Sequence, residues 1–192
     1  METKNEQKNK PFCIGIIVTE TNAEDIAYYN EQFKEINKLY QDKVRLLFFG
    51  YKPENDKWNI LEGVKYEYVK PVSLIHYFKQ LIANEFDLLF IPLINDVYNV
   101  TSEDHEKYME AGSLEIPVIT VNMYPYANII RSDFNGFIYE SREVFVDYLK
   151  DLLYTKVNEG LVKLCGKRAY EYVMKDFNFS IKNIDNVSNV YS

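Results

Sequence analysis

The chain of 192 residues has no long apolar run, and this absence argues against one large class of protein. No stretch approaches the roughly 18 apolar residues that a membrane-spanning helix needs. The first ten residues, METKNEQKNK, are polar and contain no apolar segment like that of a secretion signal. We therefore expect a cytoplasmic protein without an integral membrane segment, in which residues 1–10 form a disordered tail.

Positive charge and cysteine are also scarce. Lys and Arg number 22 against 29 Asp and Glu, which gives a net charge of -7. Nucleic acids and anionic membrane surfaces are bound by dense cationic faces, so we expect neither as the main partner. The two cysteines, Cys13 and Cys165, lie among apolar neighbours and cannot form a CxxC pair. We expect two core thiols in a reducing compartment.

Several motifs of known chemistry are missing as well. The chain has no G-x-G-x-x-G and no G-x-x-x-x-G-K-[ST], so neither a dinucleotide fingerprint nor a P-loop is supported. It also has no G-x-S-x-G nucleophile elbow. The two histidines, His76 and His105, have no metal-ligand spacing to cysteine or aspartate, and we expect no metal site.

Apolar runs alternate with amphipathic segments through most of the chain. The runs at 11–19, 44–50, 86–93 and 116–122 show no polar alternation, which is typical of strands buried on both faces. Shorter strands are predicted at 64–69 and at FIY after Gly136. This order predicts an α/β fold, a doubly wound, mostly parallel sheet with helices on both faces. We expect one Rossmann-like domain over 11–176 and an irregular tail over 177–192.

Two of the predicted helices have a defined apolar face. The first is a long helix with one inward stripe at alternating steps of three and four: Ile26, Tyr29, Phe33, Ile36 and Tyr40. The second begins after Ser73, and its predicted inward residues are Leu74, Phe78, Leu81 and Ile82.

Parallel sheets of this kind bind ligands beyond the carboxyl ends of their strands. The candidate segments are therefore 19–22, 50–53, 92–102 and 122–126, and the third is the richest in polar and aromatic residues. Lys107 and Glu110 follow it, three residues apart on one side of a predicted helix. They form either a surface ion pair or part of a site in which the helix start binds phosphate and Glu110 accepts sugar hydroxyls.

The segment from FDLLFIPL through EKYMEAGSLEIPVITVNMYPYANII to FIYESREVFVDYLKDLL resembles the C-terminal, donor-binding half of a GT-B glycosyltransferase, and VRLLFFGYKP is similar to the second strand of that family. The resemblance runs from about residue 12 to 176. The closest match is the family-four group that makes bacterial surface polysaccharides. The matching elements are a strand ending in proline, a Lys-x-x-Glu-Ala helix end, a glycine, Pro-Val-Ile, an aromatic loop and Ile-Ile before a turn. In this sequence they are Pro92, Lys107, Glu110, Ala111, Gly112, Pro117, Val118, Ile119, Tyr126, Ile129, Ile130 and Gly136.

The resemblance implies a sugar transfer from a nucleotide-sugar to a glycan or lipid-linked acceptor, without a metal or other cofactor. It assigns Glu110 to the ribose and Lys107 to phosphate, and it assigns the backbone amides of 94–102 to the sugar and diphosphate. The remaining candidate contacts are Asn95, Tyr98, Asn99, Ser102, Gly50 and Tyr126. It also implies an acceptor-binding domain or subunit as a partner.

The sequence departs from the family pattern in ways that keep a second hypothesis open. Glu103 and Asp104 stand where relatives often have Lys-Ser, and two carboxylates there would repel a diphosphate. The basic residues that follow the first strand in the family are missing from TETNAEDIAYYN. The alternative is therefore a glycosyltransferase-like scaffold that has lost donor chemistry and serves as a non-catalytic binding or assembly module.

Overall fold

The sheet at the centre of the molecule is parallel throughout its described strands. The structure, a computed structural model, describes residues 10–51, 61–95, 105–157 and 160–188, with side chains up to 175 apart from that of 156. Six strands pair in the order β3-β2-β1-β4-β5-β6, and every neighbouring pair is parallel. The strands are β1 Phe12–Val18, β2 Val44–Gly50, β3 Glu67–Val69, β4 Leu88–Ile91, β5 Val118–Val121 and β6 Phe137–Tyr139. The predicted α/β fold class is confirmed.

The uninterrupted apolar runs became the central strands, as predicted. All residues of β4 and β5 are buried, and β1 and β2 each have only one residue that is not fully buried. A strand buried on both faces needs apolar side chains at every position, which explains the lack of alternation in these segments. Cys13 and Cys165 are both buried and form no disulfide, as the sequence predicted.

The helices form two groups, one on each face of the sheet. They are α1 Ala23–Tyr28, α2 Asn30–Tyr40, α3 Leu74–Ala83, α4 Glu106–Ser113, α5 Phe145–Asp151, followed by a π-helical turn at Leu152–Lys156, and α6 Leu161–Ser188. α2 packs against α5, whereas α4 packs against α6. From β1 the chain first moves outward through β2 and β3, then crosses to β4 and continues outward on the other side. With right-handed crossovers, this reversal places the two groups on opposite faces.

The first predicted helix is broken at Tyr29. The amide of Tyr29 donates to the carbonyl of Ile26 at 3.1 Å, which tightens the chain between α1 and α2. The predicted inward stripe is nevertheless correct, because Ile26, Tyr29, Phe33 and Ile36 are all buried. Hydrophobic spacing thus identified the buried side of this segment but not the interruption of its backbone.

The predicted inner face of α3 was wrong. Of the residues expected to face the sheet, only Leu81 does so, with 1% of its surface exposed. Leu74 and Ile82 are 85% and 61% exposed, and Phe78 is 46% exposed. The sheet is contacted instead by the side that carries Tyr77, whose ring stacks on Phe49 of β2 at 5.6 Å between centroids. The inner side of α3 therefore carries Tyr77 and Leu81, a smaller apolar stripe than the one predicted to face inward.

The C-terminal boundary also differs from the prediction. Residues 177–188, expected to be irregular, continue α6 as far as Ser188. The sequence from Lys167 to Ser188 contains neither proline nor glycine, so nothing in it forces the helix to end at 176. The predicted N-terminal tail, apart from Lys10, lies outside the described residues.

Candidate functional site at the carboxyl edge of the sheet

The chain reverses its direction of travel between β1 and β4, which are neighbours in the sheet. The loops after these two strands therefore diverge at the carboxyl edge, one leading to α1 on one face and the other to α4 on the opposite face. A crevice opens at such a switch point and is the usual ligand site of an open parallel sheet. The candidate site consists of the two loop starts and the beginning of α4.

The loop after β1 is held by the side chain of Asn22. Its Oδ1 accepts a hydrogen bond from the Thr19 amide at 2.9 Å, and its Nδ2 donates to the Ile17 carbonyl at 2.9 Å. Asn22 is buried. A single amide side chain thus supplies both an acceptor and a donor to backbone groups that the end of β1 leaves unpaired. The loop is a short turn of fixed shape, without the glycine-rich cradle of a nucleotide fingerprint.

The start of the loop after β4 is held from the opposite face of the sheet. The amide of Ile94 donates to Oδ1 of the buried Asp25 at 2.7 Å. The hydroxyl of Tyr29 donates to the Leu93 carbonyl at 3.4 Å, and the hydroxyl of Tyr139 donates to that of Tyr29 at 2.8 Å. Burial raises the pKa of Tyr29 to about 12, so its hydroxyl keeps its proton at neutral pH. Residues of α1, the α1–α2 break and β6 together fix where this loop leaves the sheet.

Sequence reasoning missed this support. Tyr29 was recognised only as an apolar stripe residue, and Asp25 was not considered a candidate. A signal did exist, because an aspartate within an apolar helical stripe must find a donor when it is buried. Its partner, the backbone amide of Ile94, could not be identified from the sequence, since any backbone amide can serve.

α4 has one side buried against α6 and another directed toward α3. Tyr108, Ala111 and Gly112 are buried on the first side, where a Cβ on Gly112 would lie 2.7 Å from Cγ2 of Val173. Lys107 and Glu110 are both half-buried. Because α4 follows β4, its first turn lies at the carboxyl edge of the sheet. Lys107 and Glu110 are both among the first five residues of the helix and therefore lie close to that edge.

The Glu110 carboxylate contacts α3. Its Oε2 accepts a hydrogen bond from the Tyr77 hydroxyl at 2.8 Å. Burial, followed by the charge of Glu110, raises the pKa of Tyr77 well above its ordinary value, so this hydroxyl remains a donor at neutral pH. Glu110 is therefore held in one orientation between α3 and α4. Tyr77 was not among the predicted site residues, because the other side of α3 had been predicted to face inward.

The histidine that precedes α4 is unusual for its position. His105 occupies the N-cap of α4, yet its side chain makes no capping hydrogen bond. Its Nδ1 is buried and has no hydrogen-bond partner among the residues that the structure describes. A buried ring nitrogen without a partner is costly, and this one lies next to the helix start that the sequence assigned to phosphate binding.

The other predicted site residues fall into different settings. Gly50 ends β2 at the carboxyl edge with φ of 126°, and a Cβ there would lie 2.3 Å from the Val18 carbonyl oxygen. Asn95 is exposed just beyond β4. Tyr126 is fully buried, so its ring packs beneath the edge and does not form part of its surface. Three predicted residues, Tyr98, Asn99 and Ser102, lie outside the described residues.

A groove of about 740 Å³ lies at the opposite edge of the sheet. It is lined by the first residues of β1 and β2, Phe12 and Val44, together with the ends of α2 and α5. It does not include any of the predicted site residues. An open parallel sheet usually binds its ligands at the carboxyl edge, and for this reason we do not take the groove as the candidate functional site.

No helix in the described part of the chain is long and apolar enough to cross a membrane. No group of three or more His, Cys, Asp or Glu side chains there is arranged to hold a metal ion.

Comparison with known proteins identifies relatives by fold and not by sequence. No protein-family model and no curated protein sequence matches the chain. The C-terminal domain of the glycosyl transferase group 1 family protein LpcC from Francisella tularensis matches it with a TM-score of 0.61 and 16% identity over 90% of both chains. TarM matches with a TM-score of 0.68 and 16% identity over 93% of this chain. HepE from Anabaena, in complex with UDP-glucose, matches with a TM-score of 0.64 and 14% identity over 94%.

The chain spans 35% of the length of TarM and 49% of the length of HepE, whereas LpcC was solved as an isolated C-terminal domain. At these identities the likeness shows the fold alone. It confirms, at the level of fold, the resemblance to the C-terminal half of a GT-B glycosyltransferase that the sequence had indicated.

Proposed function

We propose that this chain is the donor-binding domain of a glycosyltransferase, which binds a nucleotide-sugar and works with an acceptor-binding domain or subunit. The observation that carries the proposal is the position of Glu110. This carboxylate lies near the start of α4 beside the topological switch point, and the Tyr77 hydroxyl holds it in one orientation. A fixed carboxylate near a helix start can accept hydrogen bonds from ribose hydroxyls while the helix amides bind the diphosphate.

Six of the eight predicted residues have a defined role in this proposal. Glu110 orients the ribose, Lys107 offsets phosphate charge, and Asn95, Tyr98, Asn99 and Ser102 contact the sugar. The reaction transfers the sugar to a glycan or lipid-linked acceptor, and the nucleoside diphosphate leaves. We include no metal or other cofactor, because helix amides and a lysine can offset the charge that develops on the leaving group.

If the reaction takes place between two domains, this chain supplies only one wall of the cleft. We therefore expect the isolated chain to bind donor weakly and to turn it over slowly. The fold relatives are consistent with this arrangement, since HepE was solved with UDP-glucose and is about twice as long as the matched part.

The alternative, a non-catalytic binding or assembly module, is favoured by two features. One oxygen of Glu110 is already engaged by Tyr77, so ribose would have to use the rest of the carboxylate. Glu103 and Asp104 add negative charge in the sequence just before α4, where a diphosphate would bind. A scaffold that has lost donor binding would retain the fold and both of these features.

Calorimetric titration of the full chain with UDP-, GDP-, ADP- and dTDP-sugars tests the proposal. We expect one nucleotide class to bind and Glu110→Gln to weaken its affinity by about tenfold, the loss of a charge-assisted hydrogen bond of ~1.5 kcal/mol. Glu171→Gln, which alters an exposed carboxylate on α6, is the matched control and should bind like the wild type. The absence of heat with every donor, while circular dichroism shows an intact fold, would contradict the proposal.

A second pair of substitutions separates the two functions. Glu103→Lys combined with Asp104→Ser removes the acidic pair and introduces the residues that the family resemblance implies. If the wild type binds no donor and this variant does, the chain is a scaffold that has lost donor chemistry. If both bind with similar affinity, the acidic pair lies away from the phosphates and the donor-domain proposal stands.

A further inference from the structure

α3 presents an apolar row to solvent along its whole length. The outer row consists of Leu74, Ile75, Phe78 and Ile82, which are 85%, 90%, 46% and 61% exposed. On the inner side, Leu81 is buried and Tyr77 reaches Glu110. α3 is therefore apolar on both sides, and its outer side is largely exposed to solvent.

The outer row forms a contiguous apolar patch and is not a set of isolated exposed residues. Isolated apolar side chains are normal on protein surfaces, but these four are contiguous on one helix. Together they expose on the order of 500 Å² of apolar surface, which is comparable to the largest patch on a typical monomer, and such patches are often functional. A surface of this size in water favours association with another apolar surface.

The direction of the row limits what can cover it. It begins at the first residue of α3, near the carboxyl edge of the sheet, and ends at Ile82 in its last turn. A domain that closes over the carboxyl edge can reach only its beginning. The occupant must lie alongside α3 over its full length, which an acceptor-binding domain placed over the candidate site does not do.

The row is complementary to itself. Leu74, Phe78 and Ile82 are spaced four residues apart, so they form one ridge of the helix surface. The spacing is symmetric about Phe78, so an antiparallel copy presents the same ridge. With a two-fold axis beside Phe78, the ridge of each copy lies in the groove next to the ridge of the other, and Leu74 of one copy lies near Ile82 of the other. Ridges pack into grooves in this way at a crossing angle of roughly -50°, the commonest class of helix packing. No charged residue separates Leu74, Phe78 and Ile82 on the ridge, and the exposed Lys79 borders it on the side of Ile75.

We propose that the protein forms a symmetric homodimer through the outer rows of two antiparallel α3 helices. Symmetric pairing would bury roughly 1,000 Å² over both copies, the lower limit for a specific interface. The dimer is therefore reversible and appears as the protein concentration rises. This inference does not depend on the proposed function, because the outer row faces away from the side of α3 that contacts Glu110 of α4.

Sedimentation velocity of the full chain over a 100-fold concentration range tests the dimer. We expect a shift from monomer to dimer in the wild type and at least a tenfold weaker association in Phe78→Glu, which places two carboxylates beside the symmetry axis. Leu39→Glu is the matched control, since Leu39 is an exposed apolar residue on α2, in the other group of helices. Both variants should keep the wild-type circular dichroism spectrum because both sites are exposed.

Three outcomes would overturn the proposal. They are a wild type that stays monomeric over the whole range, a Phe78→Glu variant that associates as well as the wild type, and a Leu39→Glu variant that is equally impaired. A larger oligomer would also overturn it, because a closed two-fold contact stops at two copies.

Crosslinking tests the register. The native thiols, Cys13 and Cys165, are buried, so introduced cysteines are the reactive sites. With a short bis-maleimide, we expect Phe78→Cys to crosslink to itself and a mixture of Leu74→Cys and Ile82→Cys to crosslink with each other. Efficient crosslinking of Leu74→Cys to itself would indicate parallel helices and overturn the antiparallel arrangement.

Discussion

α3 and α4 are neighbouring helices linked by the hydrogen bond between Tyr77 and Glu110, yet they are packed in opposite ways. α4 lies between α3 and α6, and its small residues allow α6 to approach closely. α3 has a packed inner side and a bare outer row. The difference shows that the apolar pattern of a helix alone does not decide which of its sides are buried, because its neighbours in the layer also matter.

The close approach around α4 gives the largest expected effect. Gly166 of α6 faces the chain just after α4, and a Cβ there would lie 2.0 Å from the Glu115 carbonyl oxygen. Because the obstructing atom belongs to the backbone, we expect Gly166→Ala to reduce the free energy of unfolding by about 3 kcal/mol or more. Urea denaturation measures this, and Lys167→Ala, at the exposed neighbouring position, is the control. Equal stability of the two variants would mean that α6 packs less tightly than described.

Within α3, a matched pair of leucines tests which side is buried. Leu81→Ala should cost about 2–4 kcal/mol, because it leaves a cavity under the helix. Leu74→Ala removes the same atoms from a side chain that is 85% exposed, and its effect should stay within ~0.5 kcal/mol in dilute protein. Urea denaturation at low concentration measures both. A larger loss in Leu74→Ala than in Leu81→Ala would restore the orientation of α3 predicted from the sequence.

The hydrogen bond between the two helices gives the smallest effect. Tyr77→Phe removes the donor to Glu110 and should reduce stability by about 1–2 kcal/mol at neutral pH, because the acceptor is charged and only half-buried. Tyr154→Phe is the control, since Tyr154 is largely exposed on the π-helical turn. If Tyr77→Phe is as stable as its control, the hydrogen bond does not hold the two helices together.

The stability of Tyr77→Phe relative to the wild type should also depend on pH. The folded-state pKa of Tyr77 lies above its unfolded value near 10, because of burial and the charge of Glu110. The contribution of Tyr77 to the free energy of unfolding is therefore fully present below about pH 10 and is lost as the pH rises above that value. The difference in stability between wild type and Tyr77→Phe should shrink when denaturation is repeated above pH 10. A difference that grows with pH would have the wrong sign for this assignment.

The sequence was sufficient for the sheet. Apolar runs without alternation identified the central strands, because burial on both faces leaves no other option. Glu110 was proposed from its spacing to Lys107 and from the family resemblance, and its role in a site stays a prediction. The supporting side chains Asp25, Tyr29 and Tyr77 were not found as such. Each acts through a partner distant in sequence, and local patterns do not specify such partners.

The error at α3 has the same origin. The helix has two apolar stripes, and periodicity favours the one with more aliphatic residues. The sheet packed the other stripe, because Tyr77 could stack on Phe49 and also reach a carboxylate. A helix with two candidate faces cannot be oriented from its own sequence, because the residues that select one face lie elsewhere in the chain.

The tyrosine pair behind the β4 loop has a consequence for the order of assembly on the ribosome. Tyr139 donates its hydroxyl to Tyr29, 110 positions earlier in the chain. A nascent polypeptide that has emerged only as far as β5 already contains the entire loop but lacks one of its anchors. The support behind the β4 loop is therefore complete only after the sixth strand has been synthesised.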